Sequence, residues 1–315
     1  MNKKAKKLIV CSTCATLGIY CANKILNYTA TVRNLLYNPN GEYYNWKNGK
    51  IFYTVSGAGS PVLLVHDLHP ASSSVEWTKV LKKLEKKYTV YTIDLLGCGR
   101  SEKPNITYTN YLFVQLLNDF VKDIIKEKTV VVSTGKSSSF SIMADIMDAD
   151  NYKKVIVINP EDFSSLTKQP TKKELSYKHI LDLPIFGTLL YNIEMSKNHI
   201  SKLFRNEYYF NKSSISIKTE DMYFESAHIG EEKGRHLLSS IRSNYTNVNI
   251  RHAIPKIKNL CMITSKGRAD HIKSTDEYTR LNDNIEAASI SKSKYLPQLE
   301  VPDRFFEVLN MLIEK

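Results

Sequence analysis

The sequence predicts an α/β protein in which a mostly parallel sheet is covered by helices on both faces and interrupted by a helical insertion. From Tyr43 onward, short β-branched runs alternate with helical patterns over most of a 315-residue chain, as in strand–helix–strand units. Several strand runs are apolar throughout, as strands buried on both faces must be. Between Pro160 and about Asn259 the alternation stops, and the segment holds helix-forming stretches rich in Tyr and His without a clear strand.

The strands are expected at 50–57, 61–67, 88–95, 129–134, 154–160 and 260–265. Helical stripes lie between and after them. The first, over 72–87, carries Val75, Trp77, Val80, Leu81 and Leu84 on one face. The second, over 110–126, carries Leu112, Leu116, Phe120 and Ile124, and the last, over 304–315, carries Phe305, Val308, Leu309 and Leu312. The organisation read from this is a membrane-seeking segment over 1–27, a core over 28–160 and 260–315, and a helical cap over 161–259.

The N-terminus opens with MNKKAKK and continues as an uncharged run over 8–22 that extends with little polarity to Leu26, close to the ~20 residues a bilayer requires. Tyr20 occupies the place where a small residue should precede a cleavage after Ala22, so an uncleaved anchor is preferred over a cleaved signal or a surface-lying helix. The early lysines favour a cytoplasmic N-terminus and an extracytoplasmic body, although Lys24, Arg33, Lys47 and Lys50 oppose that bias.

The formal charge of +12 is carried by scattered lysines, which suits a solvated surface near anionic headgroups better than a nucleic-acid interface. Cys11, Cys14 and Cys21 fall in the N-terminal run, leaving only Cys98 and Cys261 in the body. No disulfide framework follows from that spacing, no ligand-spaced cluster announces a metal, and no cofactor is expected. Gly135-Lys136-Ser137 lacks the earlier glycine of a phosphate loop.

Three loops carry a family resemblance. LLVHDLHPASSSVEW resembles the His-Gly loop after the third strand of the α/β-hydrolase fold family. YTVYTIDLLGCGRSEKP resembles the family's next loop, with Asp94, Gly97, Gly99, Ser101 and Pro104 in place. KYLPQLEVPDRF resembles the loop that carries the family's histidine after the last strand. The resemblance implies an α/β-hydrolase fold from about Tyr43 to Lys315. It also implies an oxyanion donor at the Leu68 N–H, with Asp67 where the family has glycine, and a structural role for the loop from Asp94 to Ser101.

The family's nucleophile sits on a tight strand-to-helix elbow, and VVVSTGKSSSF allows two registers. In the preferred one Ser137 is the nucleophile and the Ser138 N–H the second oxyanion donor. In the other, the nucleophile slot holds Gly135. The turn TSKGRADHI places Asp270 where the family's acid orients the histidine, although Asp suits any turn. The histidine slot holds Tyr295, preceded by Lys294, and no histidine follows His271. His66, His69 and His228 read as surface or packing residues rather than substitutes.

Two functions follow. One is a divergent serine hydrolase of a small ester, thioester or lipid-like acyl substrate. The other is a catalytically inactive relative that binds an apolar ligand or a protein partner.

Overall fold

A computed structural model describes residues 3–315; the first two residues of the expected anchor, Met1 and Asn2, lie outside the described residues. The chain begins with a long helix, α1 (Lys3–Thr31), followed by strands β1 (Gly41–Trp46), β2 (Gly49–Ser56) and β3 (Ser60–Val65). Then come α2 (Thr78–Leu84), β4 (Tyr88–Ile93), α3 (Asn110–Phe120), β5 (Thr129–Thr134), α4 (Ser137–Met147) and β6 (Tyr152–Ile158). Between β6 and β7 only helices occur among the described residues: α5 (Phe163–Leu166), α6 (Lys172–Asp182), α7 (Phe186–Glu194), α8 (Lys197–Leu203), α9 (Ile217–His228) and α10 (Arg235–Arg242). The chain closes with β7 (Leu260–Ser265), α11 (Ala269–Thr279), β8 (Glu286–Ile290), α12 (Pro297–Glu300) and α13 (Pro302–Glu314).

The eight strands form one sheet in the order β1-β2-β4-β3-β5-β6-β7-β8. β1 pairs antiparallel with β2, and β2 with β4, while every later pairing is parallel. This is the mostly parallel α/β-hydrolase sheet with helices on both faces that the sequence predicts. Two separate apolar clusters cover the faces. One gathers Leu63, Phe113, Leu117, Phe120 and Phe140; the other gathers Leu64, Trp77, Val132, Phe305 and Leu309. The central strand β5, TVVVST, is buried at every residue, because both of its faces carry such a cluster.

Three differences from the sequence reading have local causes. β1 and β8 were not expected, since GEYYNW and EAASI are edge strands with mostly exposed or half-exposed side chains and no apolar run. The 72–87 helix is broken into a 3-10 turn (Ser74–Trp77) and α2, because the Ser74 N–H is held by the Asp94 carboxylate at 2.7 Å instead of entering a helix. Helix α1 runs past residue 27 to Thr31, and its last turns leave the apolar run to pack on α7 and α9, with Asn23, Asn27 and Ala30 buried.

The helical insertion lies over the C-terminal ends of the strands. Ser226 Oγ donates to Ser72 O at 3.1 Å and the Tyr223 hydroxyl to Glu76 at 3.2 Å. Phe204, Tyr208, Tyr209 and Tyr223 pack with Ala71, Val75, Leu296 and Leu299 into a third apolar cluster between insertion and core. Any site at the end of the sheet must therefore be built beneath these rings.

Candidate active site

Strand β5 ends at Thr134 and α4 starts at Ser137, so the turn between them is Gly135-Lys136. Gly135 has φ +56°, the left-handed region that costs most residues energy, and a strained turn of this kind is how the fold exposes a nucleophile. Gly135 therefore lies in the turn itself, the place that the second of the two registers gives it. Ser137 is instead the first residue of α4, fully buried, with its Oγ donating to His66 O at 2.7 Å. The Ser138 N–H donates to Gly135 O at 3.2 Å inside the first helical turn, so it points along the helix and not into the site. The backbone amide that follows the elbow residue is that of Lys136.

That amide is occupied. The Lys136 N–H donates to Asp67 Oδ1 at 2.9 Å, so a carboxylate of the chain itself sits where the fold would stabilise an oxyanion. Asp67 leads directly into Leu68, the other expected oxyanion donor, which is buried on the same loop. The Asp67 N–H in turn donates to Glu76 at 3.1 Å. The Tyr295 hydroxyl is a hydrogen-bond partner of the Asp67 carboxyl. A Cβ placed on Gly135 would overlap that hydroxyl and come within 2.5 Å of Asp67 Oδ1 and 2.8 Å of Tyr295 Cζ. The space of the nucleophile's side chain is thus filled by the residue in the histidine slot.

Burial decides the protonation of this group. It pushes the Asp67 carboxyl up to about 6, against the opposing pull of the Lys136 N–H and the Tyr295 hydroxyl. Burial, reinforced by Asp67, also holds Glu76 well above the ordinary carboxyl range. The Tyr295 hydroxyl is raised well above its ordinary value, first by burial and then by the neighbouring Asp67 charge. It stays protonated at neutral pH and donates; it is not a base.

Tyr295 is fixed from two sides. Its ring stacks on Tyr208 at 5.2 Å between centroids, and its N–H donates to Tyr208 O at 3.1 Å. Asn159, at the end of β6 with φ +47°, donates through Nδ2 to Tyr295 O at 3.0 Å and Lys294 O at 3.1 Å. Its Oδ1 accepts from Ser265 N at 2.8 Å. One side chain thus ties together the loops after β6, β7 and β8.

Asp270 stands at the start of α11, exposed, and its carboxylate is held by Arg268 at 2.6 and 3.0 Å. This guanidinium, which also pairs with Glu207, keeps the Asp270 carboxyl below its ordinary range. Asp270 shares a cavity of about 170 Å³ with Tyr295, Glu161, Arg268 and His271, yet its partner is an arginine rather than the residue in the histidine slot. His271 is buried beside Tyr295 with ring centroids 5.8 Å apart, and burial lowers it to about 4. His66, also lowered to about 4 by burial, accepts the Leu95 N–H on Nε2 and donates from Nδ1 to Asp67 O, a scaffold role. His228 is buried against Phe224. The Lys136 ammonium reaches outward to Glu161 and Asn247, each at 2.8 Å.

Glu76, Lys136, Asn159 and Arg268 were not singled out from sequence. Glu76, Lys136 and Arg268 fall inside the segments read above, the first resembling loop, the elbow and the Asp270 turn, but none was given a role there. In the loop from Asp94 to Ser101, burial raises the Asp94 carboxyl, but the Arg100 guanidinium outweighs this and holds it at about 2. Among the described residues no group of three or more His, Cys, Asp or Glu side chains is arranged to hold a metal ion.

Comparison with known proteins agrees with this fold. Residues 60–135 match the family model described as alpha/beta hydrolase fold. A 2-hydroxy-6-oxo-6-(2'-aminophenyl)hexa-2,4-dienoic acid hydrolase of Metapseudomonas resinovorans is 38% identical over 71 residues, 22% of this chain and 24% of that protein. An uncharacterized protein of Mycobacterium tuberculosis is 30% identical over 80 residues, 25% of this chain and 23% of that protein. The match thus spans about a quarter of these relatives' length. Among solved structures, a serine hydrolase involved in carbazole degradation superposes with a TM-score of 0.70 at 15% identity, covering 87% of this chain and 98% of its own. A membrane phospholipase A described as a bacterial virulence factor superposes with a TM-score of 0.67 at 15% identity, covering 100% of this chain and 98% of its own. Over residues 60–135 the chain resembles the alpha/beta hydrolase family in sequence, and as a whole it has the α/β-hydrolase fold.

Proposed function

We propose that this protein is a membrane-anchored member of the α/β-hydrolase fold family that has lost serine-dependent acyl transfer and works by binding. The observation that carries this reading is the elbow itself. Gly135 has no nucleophilic atom, its side-chain space holds the Tyr295 hydroxyl, and the Lys136 amide is taken by Asp67. Without imidazole in the histidine slot, no ordinary base accepts a serine proton near neutral pH. Ser137, the remaining serine candidate, would have to leave its bond to His66 O and emerge from full burial.

A protein partner suits this fold better than an apolar small molecule. Phe204, Tyr208, Tyr209 and Tyr223 occupy the space beneath the insertion, and the cavity of about 170 Å³ beside Tyr295 is smaller than the ~300 Å³ or more of ordinary ligand pockets. The anchor reading rests on α1, whose most apolar window has a mean hydropathy of 1.4 with 6% of it buried. The likeness to the membrane phospholipase A, which extends over the whole chain, adds to it. The lysines at its start favour a body on the extracytoplasmic side.

The test is a fluorophosphonate probe applied to the full chain in membranes, beside Ser137→Ala. The expected result is no serine labelling in either. Labelling of the parent that disappears in Ser137→Ala would restore the serine hydrolase reading.

A further inference from the structure

The apolar side chains that the insertion leaves uncovered are concentrated where α6 turns into α7. Leu183 is 47% exposed, Phe186 52% and Ile193 57%, and Ile180 lies beside them at 46%. Phe186, Leu190 and Ile193 follow one another on a single face of α7. Large uncovered residues in one patch mark an interaction surface. What covers it is indicated by the element packed alongside, because α7 is also one of the helices on which α1 docks.

The joint is specific. Asn23 Nδ2 donates to Ile185 O at 3.4 Å, and Asn192 Nδ2 donates to Asn23 Oδ1 at 2.9 Å. Tyr20, Asn23, Lys24 and Asn27 line one small recess together with Pro184 and Ile185. Residues 20–27 of α1 and the α6–α7 turn therefore stand at the same level.

Length then sets that level relative to a bilayer. The uncharged run over 8–22 is ~22 Å long at ~1.5 Å per residue, short of the ~30 Å hydrocarbon core. The lysines before the run can snorkel to the far interface, and Tyr20, near the body-side end of the run, already lines the recess at the turn. Any bilayer that α1 crosses must consequently come up to Pro184 and Ile185 and meet Leu183 and Phe186 beside them.

We propose that the α6–α7 turn and the Phe186–Ile193 face of α7 form a membrane-docking surface, seated in the interfacial layer of the same bilayer that α1 crosses. The proposal rests on the anchor reading of α1. It makes the insertion a fixed foot on the membrane, with no free linker between anchor and body.

Tryptophan quenching in the full chain separates the two claims. Leu17→Trp reports on α1, Phe186→Trp on the turn, and Tyr43→Trp, on the exposed edge strand β1, serves as a distant control; Trp46 and Trp77 are buried. Each variant is reconstituted into phosphatidylcholine–phosphatidylglycerol vesicles with and without chain-brominated phosphatidylcholine. The expected result is loss of about half or more of the added emission at 17 and 186 and none at 43. Quenching at 17 but not at 186 leaves the anchor standing and overturns the docking surface. Quenching at 186 but not at 17 removes the span and with it the proposal, since the turn would then meet a bilayer that α1 does not cross, and quenching at neither removes both. Quenching at 43 as well overturns the placement, since the body would then lie on the bilayer by a different face.

Discussion

The Tyr295 hydroxyl stands where a side chain on Gly135 would begin. Two residues 160 positions apart in sequence thus share one volume, and neither can change alone without cost. Gly135→Ala adds a Cβ that meets Tyr295 and Asp67, at a backbone position with φ +56°. It should lower stability by about 2–4 kcal/mol, read as a fall in the urea midpoint with an unchanged slope. Tyr295→Ala empties the space, so in the double variant the two losses should fall short of their sum by about 1 kcal/mol or more. Strict additivity would mean that the two residues do not compete.

Asp67 and His66 are neighbours whose titrations act in opposite directions. The Asp67 carboxyl is raised to about 6 in the fold, against ~3.9 unfolded. The folded state therefore binds the extra proton, and this group's contribution falls as pH rises through that window. His66 is lowered to about 4, against ~6.5 unfolded, so its contribution is complete above that range and is lost as pH falls. Asp67→Asn keeps an oxygen for the Lys136 N–H and removes the ionisation penalty. Near pH ~7.5 it should exceed the parent in stability by about 1–2 kcal/mol, with the difference vanishing near pH ~4. Urea midpoints measured across that range check this; a parent that is the more stable at neutral pH would show that the charged carboxylate is well satisfied where it stands.

If three residues silence the elbow, restoring them should reawaken it. Asp67→Gly opens the Lys136 amide, Gly135→Ser supplies a nucleophile, and Tyr295→His supplies the base while clearing the space. The triple variant should gain fluorophosphonate labelling above the parent, and Gly135→Ser alone should gain none, since a serine without a base stays inert. A triple variant that keeps its far-UV circular dichroism and still fails to label would sink the idea that these positions suffice. Attention would then move to Asp270, whose carboxylate is engaged by Arg268.

The sheet was legible because strands such as 129–134 and 260–265 are apolar on both faces and have no alternative use. The edges were not: GEYYNW and EAASI pair without burying a run, and only the neighbouring strand makes them β. At the site, Tyr295 could be placed from its loop, because proline and acidic neighbours hold the motif in register. The elbow could not. Serine and threonine lie within two residues of Gly135 on both sides, so the choice between Gly135 and Ser137 depends on where β5 stops, and that is set by pairing with β6 up to Thr134 and Ile158. Arg268 and Asn159 were invisible for a different reason. Their partners lie on other loops, and nothing local distinguishes them from ordinary turn residues.

Asn159 offers the sharpest separation of backbone from side-chain effects. It combines a left-handed φ of +47° with hydrogen bonds to Ser265, Lys294 and Tyr295. Asn159→Gly keeps the backbone comfortable and deletes the side chain, leaving the Ser265 N–H and two loop carbonyls without their partner. Asn159→Ala deletes the same bonds and adds the left-handed penalty, ~1 kcal/mol for a residue with a Cβ. Each orphaned buried group costs about 1–3 kcal/mol, so both variants should be clearly destabilised, with Ala worse than Gly. Because the lost bonds hold the Tyr295 loop, its near-UV circular dichroism should change in both. Variants that unfold at the parent's urea midpoint, with the near-UV signal intact, would show that Tyr208 stacking alone holds Tyr295 over Gly135.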